Sequence, residues 1–362
     1  MDLHFKSGRI LGSMCTAPHP IGIKAHNMFI ESNLGNAGLY PGTQQLERLV
    51  IDDLNKLLHN PSGCGRVVGG GTEANITALW IAKKFWKRSE IIVPRSRHFS
   101  IDKAIDILHL DAKMVDLDDQ FKVDTAEVER LVSDRTAAVV GIAGTTELGQ
   151  IDPIKRLSDI CQERCTLHVD AAFGGYVIPF LTMLGKDMPV FDFELPSVST
   201  MTVDPHKMGC STQPAGALLF RSQEQQDQIS IEIPYLTLSK QTTLSGTRNS
   251  ASVASTWAVM QYLGVDGYKK VVKRCMSNTR YLQRRFTELG FVAVIKPVLN
   301  LLAIRMKDCK AMEDALAKEG WRVSKAHNPC SLRFVVMPHV TRKAIDEFMP
   351  VFERTAKRLK EM

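Results

Sequence analysis

Short apolar runs at 66–68, 91–94, 112–117, 137–143, 166–170, 198–203 and 217–220 alternate with stretches whose apolar positions recur every three or four residues, at 46–58, 73–87, 101–110, 125–132 and 154–163. Runs of that length suit strands and the longer repeats suit amphipathic helices, so the alternation predicts βαβ units. The fold class is therefore α/β, a mostly parallel sheet with helices on both faces. Residues 222–250 break the rhythm with a polar, Gln-rich segment that predicts an exposed mobile loop. Helices follow at 251–262 and 267–289, then a β-like stretch at 291–304, a helix at 310–319, a strand at 331–337 and an amphipathic helix at 341–360. Residues 1–45, rich in Gly, Pro and Asn and without a sustained period, predict an extended arm with one short helix. Three segments result: an N-terminal arm (1–45), a large domain (46–265) and a smaller α+β C-terminal domain (266–362).

Composition narrows the class without naming a chemistry. With 362 residues, 44% hydrophobic and 23% charged, the chain matches ordinary soluble enzymes and excludes disordered or collagen-like proteins. No apolar run approaches the roughly 20 residues of a membrane span. Behind Lys6 and Arg9 there is no apolar segment of the secretory type, so a cytoplasmic location is expected. Eight cysteines without a CxxC pair argue against a disulfide framework or a zinc ribbon. Cys161 and Cys165, four apart in a predicted helix, lack a second ligand pair and read as small half-buried residues, so no metal is expected. Charge is uneven: residues 266–362 carry 21 Lys and Arg against 10 Asp and Glu, a surplus of +11, whereas residues 1–265 carry 25 against 29. These cations lie along amphipathic helices without interleaved aromatics, which reads as a solvated face and not a nucleic-acid surface.

Three motifs carry chemistry. Gly-Gly-Gly-Thr-Glu-Ala-Asn (69–75) stands between a strand and a helix, with Thr72 placed as an N-cap, so converging N–H groups and the helix dipole could hold a phosphate. Leu-His-Val-Asp-Ala-Ala-Phe-Gly-Gly (167–175) puts Asp170 at the carboxyl end of a buried strand, where open α/β sheets bind ligands, and small residues after it leave room for a flat ring. In Thr-Val-Asp-Pro-His-Lys (202–207), Lys207 follows directly on a strand. Alone, each has a structural explanation: a capped glycine turn, a turn-capping aspartate, a surface lysine. Together they are the parts that hold pyridoxal phosphate.

In their order and spacing these motifs resemble the fold-type I pyridoxal-phosphate enzymes, specifically the group II amino-acid decarboxylases, and among them the compact archaeal tyrosine/aspartate decarboxylases. The likeness runs from Thr-Ala-Pro-His-Pro (16–20) and the Asn-Leu-Gly and Gly-Leu-Tyr-Pro-Gly-Thr elements of the arm to Arg-Phe-Val-Val-Met-Pro-His-Val-Thr (333–341). It implies a homodimer with shared active sites and decarboxylation of L-tyrosine to tyramine, of L-aspartate to β-alanine, or of both, as a supply of methanofuran or coenzyme A precursors. Lys207 would hold the cofactor covalently, Asp170 would pair with the pyridine nitrogen and His98 would stack on the ring. Gly71, Thr72 and His206 would bind the phosphate, Thr145 would lie near the ring oxygen, and Gly246 and Thr247 would complete the phosphate site across the dimer interface. Tyr235 matches a mobile-loop tyrosine that reprotonates the substrate carbon, usually in the neighbouring subunit, though an aromatic loop anchor explains it nearly as well. Arg333, in a strand flanked by Leu332 and by the apolar residues 334–337, fits the arginine that binds a substrate carboxylate. In the arm, His19, Phe29, Leu34, Leu39 and Tyr40 could line an aromatic-sized side-chain pocket, with His19 its polar group. The chain lacks the long N-terminal domain of animal aromatic decarboxylases, so the arm would have to interlock the subunits. Asn249 after Arg248 departs from the small residue expected in the phosphate-completing segment. Two alternatives remain: another fold-type I reaction, such as tRNA-dependent cysteine formation or a phosphate-bearing aldehyde lyase, or an RNA-binding protein with a vestigial site.

Overall fold

The computed structural model describes every residue except Met1, Ala37, Glu163, Leu238, Ser239 and Met362; the last residue of the helix expected at 154–163 and two residues of the loop at 222–250 thus lie outside the described residues. The arm carries α1 (Pro20–Met28), and α2 (Pro41–Leu57) leads into the large sheet. There follow β1 (Cys64–Val68), α3 (Gly71–Trp86), β2 (Glu90–Pro94), α4 (Phe99–Leu108), β3 (Asp111–Val115), α5 (Thr125–Leu131), β4 (Thr136–Ile142), α6 (Ile154–Cys161) and β5 (Thr166–Asp170). Next come α7 (Ile178–Met183), β6 (Val198–Val203), β7 (Gly216–Phe220), α8 (Gln223–Asp227) and a small hairpin of β8 (Ile231–Glu232) and β9 (Lys240–Gln241). The sheet order is β1-β7-β6-β5-β4-β2-β3, and β7 alone runs against its neighbours.

The period-2 geometry of a strand explains the layers. All seven residues of β4 are buried; Val139 joins one apolar cluster with Leu157 of α6, while Ala138 and Val140 join another with Leu79 of α3. Helices therefore cover both faces, which is why these strands read as continuous apolar runs. Register aligns Ile142 with Asp170 and Asp170 with Thr202, so the carboxyl ends of β4, β5 and β6 finish level.

From α9 (Ser250–Glu288) the chain enters a second unit: β10 (Leu301–Arg305), α10 (Cys309–Lys318), β11 (Ser324–Ala326), β12 (Ser331–Val335) and α11 (Arg342–Arg358). Its three-stranded sheet, ordered β10-β12-β11, packs with Phe286, Phe348 and Phe352 in a core of its own. The two helices expected at 251–262 and 267–289 form one element interrupted at Gly264, which takes φ 54° and ψ −170°. That conformation lies in the left-handed half of backbone space, where glycine carries no Cβ penalty.

Some expectations need correction. Only the end of the β-like stretch 291–304 is a strand, because Phe291 to Asn300 is spent on turns around the bridge between Ala293 and Ile304. The arm is not free along its length. Leu11 accepts from the Val335 N–H, donates to Arg322 O, each at 2.7 Å, and joins the core of the small unit. Helix α6 stops at Cys161, so Cys165 lies beyond it; both thiols are free and both residues are buried. Among the described residues no helix is long and apolar enough to cross a membrane.

Candidate active site

A cavity of about 270 Å³ opens at the carboxyl edge of the sheet, where α/β folds place their ligands. The turn after β1 supplies Gly69 to Thr72, the segment after β5 supplies Asp170, Ala172 and Phe173, and the segment after β6 supplies Asp204, His206 and Lys207. His98, Asn75, Ile142, Gly144, Thr146, Met14 and the pair Gln213 and Pro214, joined by a cis peptide bond, complete the wall.

At the glycine turn the expected cap is overturned. Helix α3 begins at Gly71, so its N-cap is Gly70, at φ 122°, and Thr72 is the second helical residue. No side chain caps this helix, which leaves its first N–H groups facing the cavity without a partner. A Cβ on Gly71 would stand 2.9 Å from Asp204 Oδ2, so a side chain there would press on the lysine's partner. That partner is the residue the motif reading passed over: Asp204, three positions before Lys207, is 2% exposed and holds Lys207 Nζ at 3.1 Å. Burial alone would depress the Lys207 ammonium, yet Asp204 and then Asp170 outweigh it and raise its pKa above the ordinary lysine value.

Asp170 accepts from Asn75 Nδ2 at 2.8 Å and from the Ala172 N–H at 3.1 Å. His98 caps α4, with Nδ1 accepting from the Ser100 N–H at 3.3 Å. Burial lowers its pKa against the opposing pull of Asp170, so the imidazole is neutral at pH 7. His206 Nδ1 lies 2.5 Å from Ala215 O, and its Nε2 lies 3.8 Å from Asp204.

The remaining expected residues lie elsewhere. Thr145 spends its hydroxyl and N–H on closing a turn with Gln150, each at 2.9 Å, and its neighbour Thr146 lines the cavity instead. Gly246 and Thr247 are outside the wall; Ser245 next to them donates its N–H to Glu73 Oε1 at 3.2 Å, and Glu73 Oε2 accepts from the Gly69 N–H at 2.6 Å. Asn249 is the N-cap of α9, accepting from the Ser252 N–H at 3.1 Å, which explains an asparagine where a small residue was expected. Tyr235, between β8 and β9, is 84% exposed and is not among the residues that line the cavity. His19 caps α1 and packs against Tyr262, ring centroids 4.9 Å apart, so it does not line the cavity either.

Arg333 is 8% exposed and, among the described residues, has no acidic partner within ion-pair distance and none for its buried Nε; Nη1 donates to Ser324 Oγ at 2.8 Å and Gly12 O at 3.2 Å. Burial pulls its pKa down to about 10, opposed by Glu147. A surface ion pair is therefore not its role.

The residues fit pyridoxal phosphate: an uncapped helix start for an anion, a carboxylate for a ring nitrogen, a neutral imidazole and a half-buried lysine share one cavity. Comparison with known proteins agrees. Residues 27–307 match the pyridoxal-dependent decarboxylase conserved domain. The chain belongs to that family. It is 47% identical over 348 residues to a probable L-tyrosine/L-aspartate decarboxylase of Methanothrix thermoacetophila, covering 95% of this chain and 90% of that one. A probable L-aspartate decarboxylase of Archaeoglobus fulgidus is 45% identical, covering 97% and 95%. Among solved structures, the sphingosine-1-phosphate lyase of Burkholderia pseudomallei superposes with a TM-score of 0.89 at 26% identity, covering 97% of this chain and 86% of that one. The decarboxylase is thus a pyridoxal-phosphate-dependent carboxy-lyase acting on amino acids.

Proposed function

We propose that this decarboxylase removes the α-carboxylate of L-tyrosine, L-aspartate or both, working as a homodimer whose sites are completed across the interface. The observation that carries the reading is Lys207, ion-paired to the buried Asp204 and sharing a cavity with Asp170, His98 and the uncapped start of α3. Pyridoxal phosphate, when bound, supplies a carbonyl carbon that takes up the substrate amine and a ring that withdraws the electron pair left by departing carbon dioxide. The chain's residues do the rest. Lys207 would hold the cofactor covalently through Nζ. Asp170 would keep a proton on the ring nitrogen, His98 would cover the ring, and the N–H groups of Gly71 and Thr72, with His206, would hold the phosphate. Phe173, Ile142 and Met14 keep water away from the reacting carbon.

Sharing between subunits is supported by the exposed apolar side chains of the arm, Met28 at 72%, Ile30 at 65% and Leu39 at 62%, together with Tyr235. On this reading Tyr235, Gly246, Thr247 and His19 act on the neighbouring subunit's site, and the boundaries 1–45, 46–265 and 266–362 separate arm, cofactor-binding and small domains. The substrate class follows the names of the two relatives, both of which include aspartate. The test is carbon dioxide release from each common amino acid by the purified protein with pyridoxal phosphate. Release from tyrosine, aspartate or both is expected; release from neither overturns the substrate assignment, and cleavage of a phosphorylated amino alcohol to an aldehyde would favour a lyase.

Arg333 supplies a further prediction. A guanidinium with a folded pKa of about 10 binds fewer protons than an unfolded one as pH rises through and above 10, so its burial subtracts from stability at neutral pH and stability rises as pH climbs through that range. Such a cost is borne where a charge is needed. Arg333→Met is expected to raise the KM by about 10- to 100-fold, the worth of a charge-assisted hydrogen bond, without lowering the melting temperature. An unchanged KM with a lowered melting temperature would make Arg333 a structural residue.

A further inference from the structure

A polar cluster reaches from the cavity wall, which Asn75 joins, into the interior; in it Asn75, Ser100, His168, Thr200 and Thr202 are each no more than 1% exposed. Asn75 is its hub. The amide Nδ2 donates to Asp170 Oδ2 at 2.8 Å and to Ser100 Oγ at 2.9 Å. Its Oδ1 accepts from Thr202 Oγ1 at 2.7 Å and meets His168 Nε2 at 3.0 Å. Both N–H donors and both acceptor positions of the amide are thereby used, and the carboxylate fixes which end is nitrogen.

Proton positions follow by elimination. Because Asn75 Oδ1 only accepts, His168 must carry its proton on Nε2 and accept from Thr200 Oγ1 on Nδ1, at 2.9 Å. Because Ser100 Oγ takes a proton from Asn75, it is free to give its own to His98 Nδ1, also at 2.9 Å, where the Ser100 N–H already points. His98 is then left with its one proton on Nε2, the only donor its ring can offer to whatever shares the cavity.

We propose that Asn75 is a positioning residue for the decarboxylation, fixing Asp170 Oδ2 as an acceptor and, relayed through Ser100, holding His98 as the Nε2–H tautomer. One buried amide thus sets the hydrogen-bond direction of two cavity side chains that stand on different elements. The proposal rests on the decarboxylase reading, but the tautomers are properties of the protein alone.

The test uses nitrogen-15-labelled histidine in the full chain, with long-range proton–nitrogen correlation at neutral pH before and after adding pyridoxal phosphate, and signals assigned by His98→Gln and His168→Gln. Both histidines are expected as neutral Nε2–H forms; an Nδ1–H form of His98 in the wild type overturns the proposal. Asn75→Asp puts an acceptor where Asp170 and Ser100 need a donor. Affinity for pyridoxal phosphate should fall by about 10- to 100-fold, the range typical of outer partners in tightly held sites. The Ser100 hydroxyl should then turn toward the introduced carboxylate, and His98 should gain Nδ1–H character. Adding Ser100→Ala should return His98 to Nε2–H, held by the backbone N–H, without restoring affinity. An Asn75→Asp protein with wild-type tautomers and affinity overturns the assignment. Should that variant not fold, Asn75→Ala still removes the donor to Asp170, and unchanged affinity there is equally contradictory. A wild-type protein that shows the tautomers yet binds no pyridoxal phosphate would instead overturn the decarboxylase reading, and the role of Asn75 with it.

Discussion

Lys207→Ala is expected to lower carbon dioxide release by about four orders of magnitude, the scale of losing the group that opens a covalent route. It should also destabilise the protein, because Asp204 would be left buried beside the gap, with His206 Nε2 at 3.8 Å as its remaining ion-pair contact. Breaking a buried ion pair on one side costs about 3–5 kcal/mol, whereas replacing both partners costs less. The two effects separate in the double variant Asp204→Asn with Lys207→Ala: thermal stability should recover substantially and activity should not. A double variant that regains both would make Lys207 a structural cation whose loss merely unfolds the site.

Tyr235→Phe carries the second large effect. A tyrosine that delivers a proton to the substrate carbon contributes about 10²- to 10⁴-fold, and removing its hydroxyl leaves carbon dioxide loss possible while amine formation stalls. Products of misdirected protonation should rise relative to amine. Since Tyr235 is 84% exposed and outside the cavity of its own protomer, the proposal requires it to serve the neighbouring site. Mixing Tyr235→Phe chains with Lys207→Ala chains should then restore activity to about a quarter of wild type, because half of randomly paired dimers hold one intact site out of two. Amine formation at the wild-type rate by Tyr235→Phe would reduce the tyrosine to a loop anchor. Absence of restoration in the mixture would place its action within one chain.

What the sequence could convey follows the range of the forces involved. Apolar periodicity is local, so β4, β5 and β6 and the helices between them were readable, as was the interruption near Gly264. The Asp170 and Lys207 motifs were readable because each lies at the end of such a strand. Capping was misjudged because a threonine after glycines suits an N-cap by propensity, whereas Gly70 at φ 122° turns the chain two residues earlier. Thr145 and Thr146 are indistinguishable by type, and only the Gln150 turn decides which of them lines the cavity. Asp204 was visible three residues before Lys207, but nothing local says that two side chains at that spacing outside a helix will meet. Asn75 and His168 are 93 positions apart, and their hydrogen bond depends on how α3 packs on β5. His19 and Tyr235 raise a question of assembly, which periodicity along one chain does not encode.

The central claim, that this chain is a decarboxylase whose cofactor is held by Lys207, is tested most directly by reducing the pyridoxal-phosphate-loaded protein with borohydride and mapping the labelled peptide. One pyridoxyl group per chain is expected, on Lys207 in the segment Thr-Val-Asp-Pro-His-Lys. A label on another lysine, or a wild-type protein that takes up none, would contradict it.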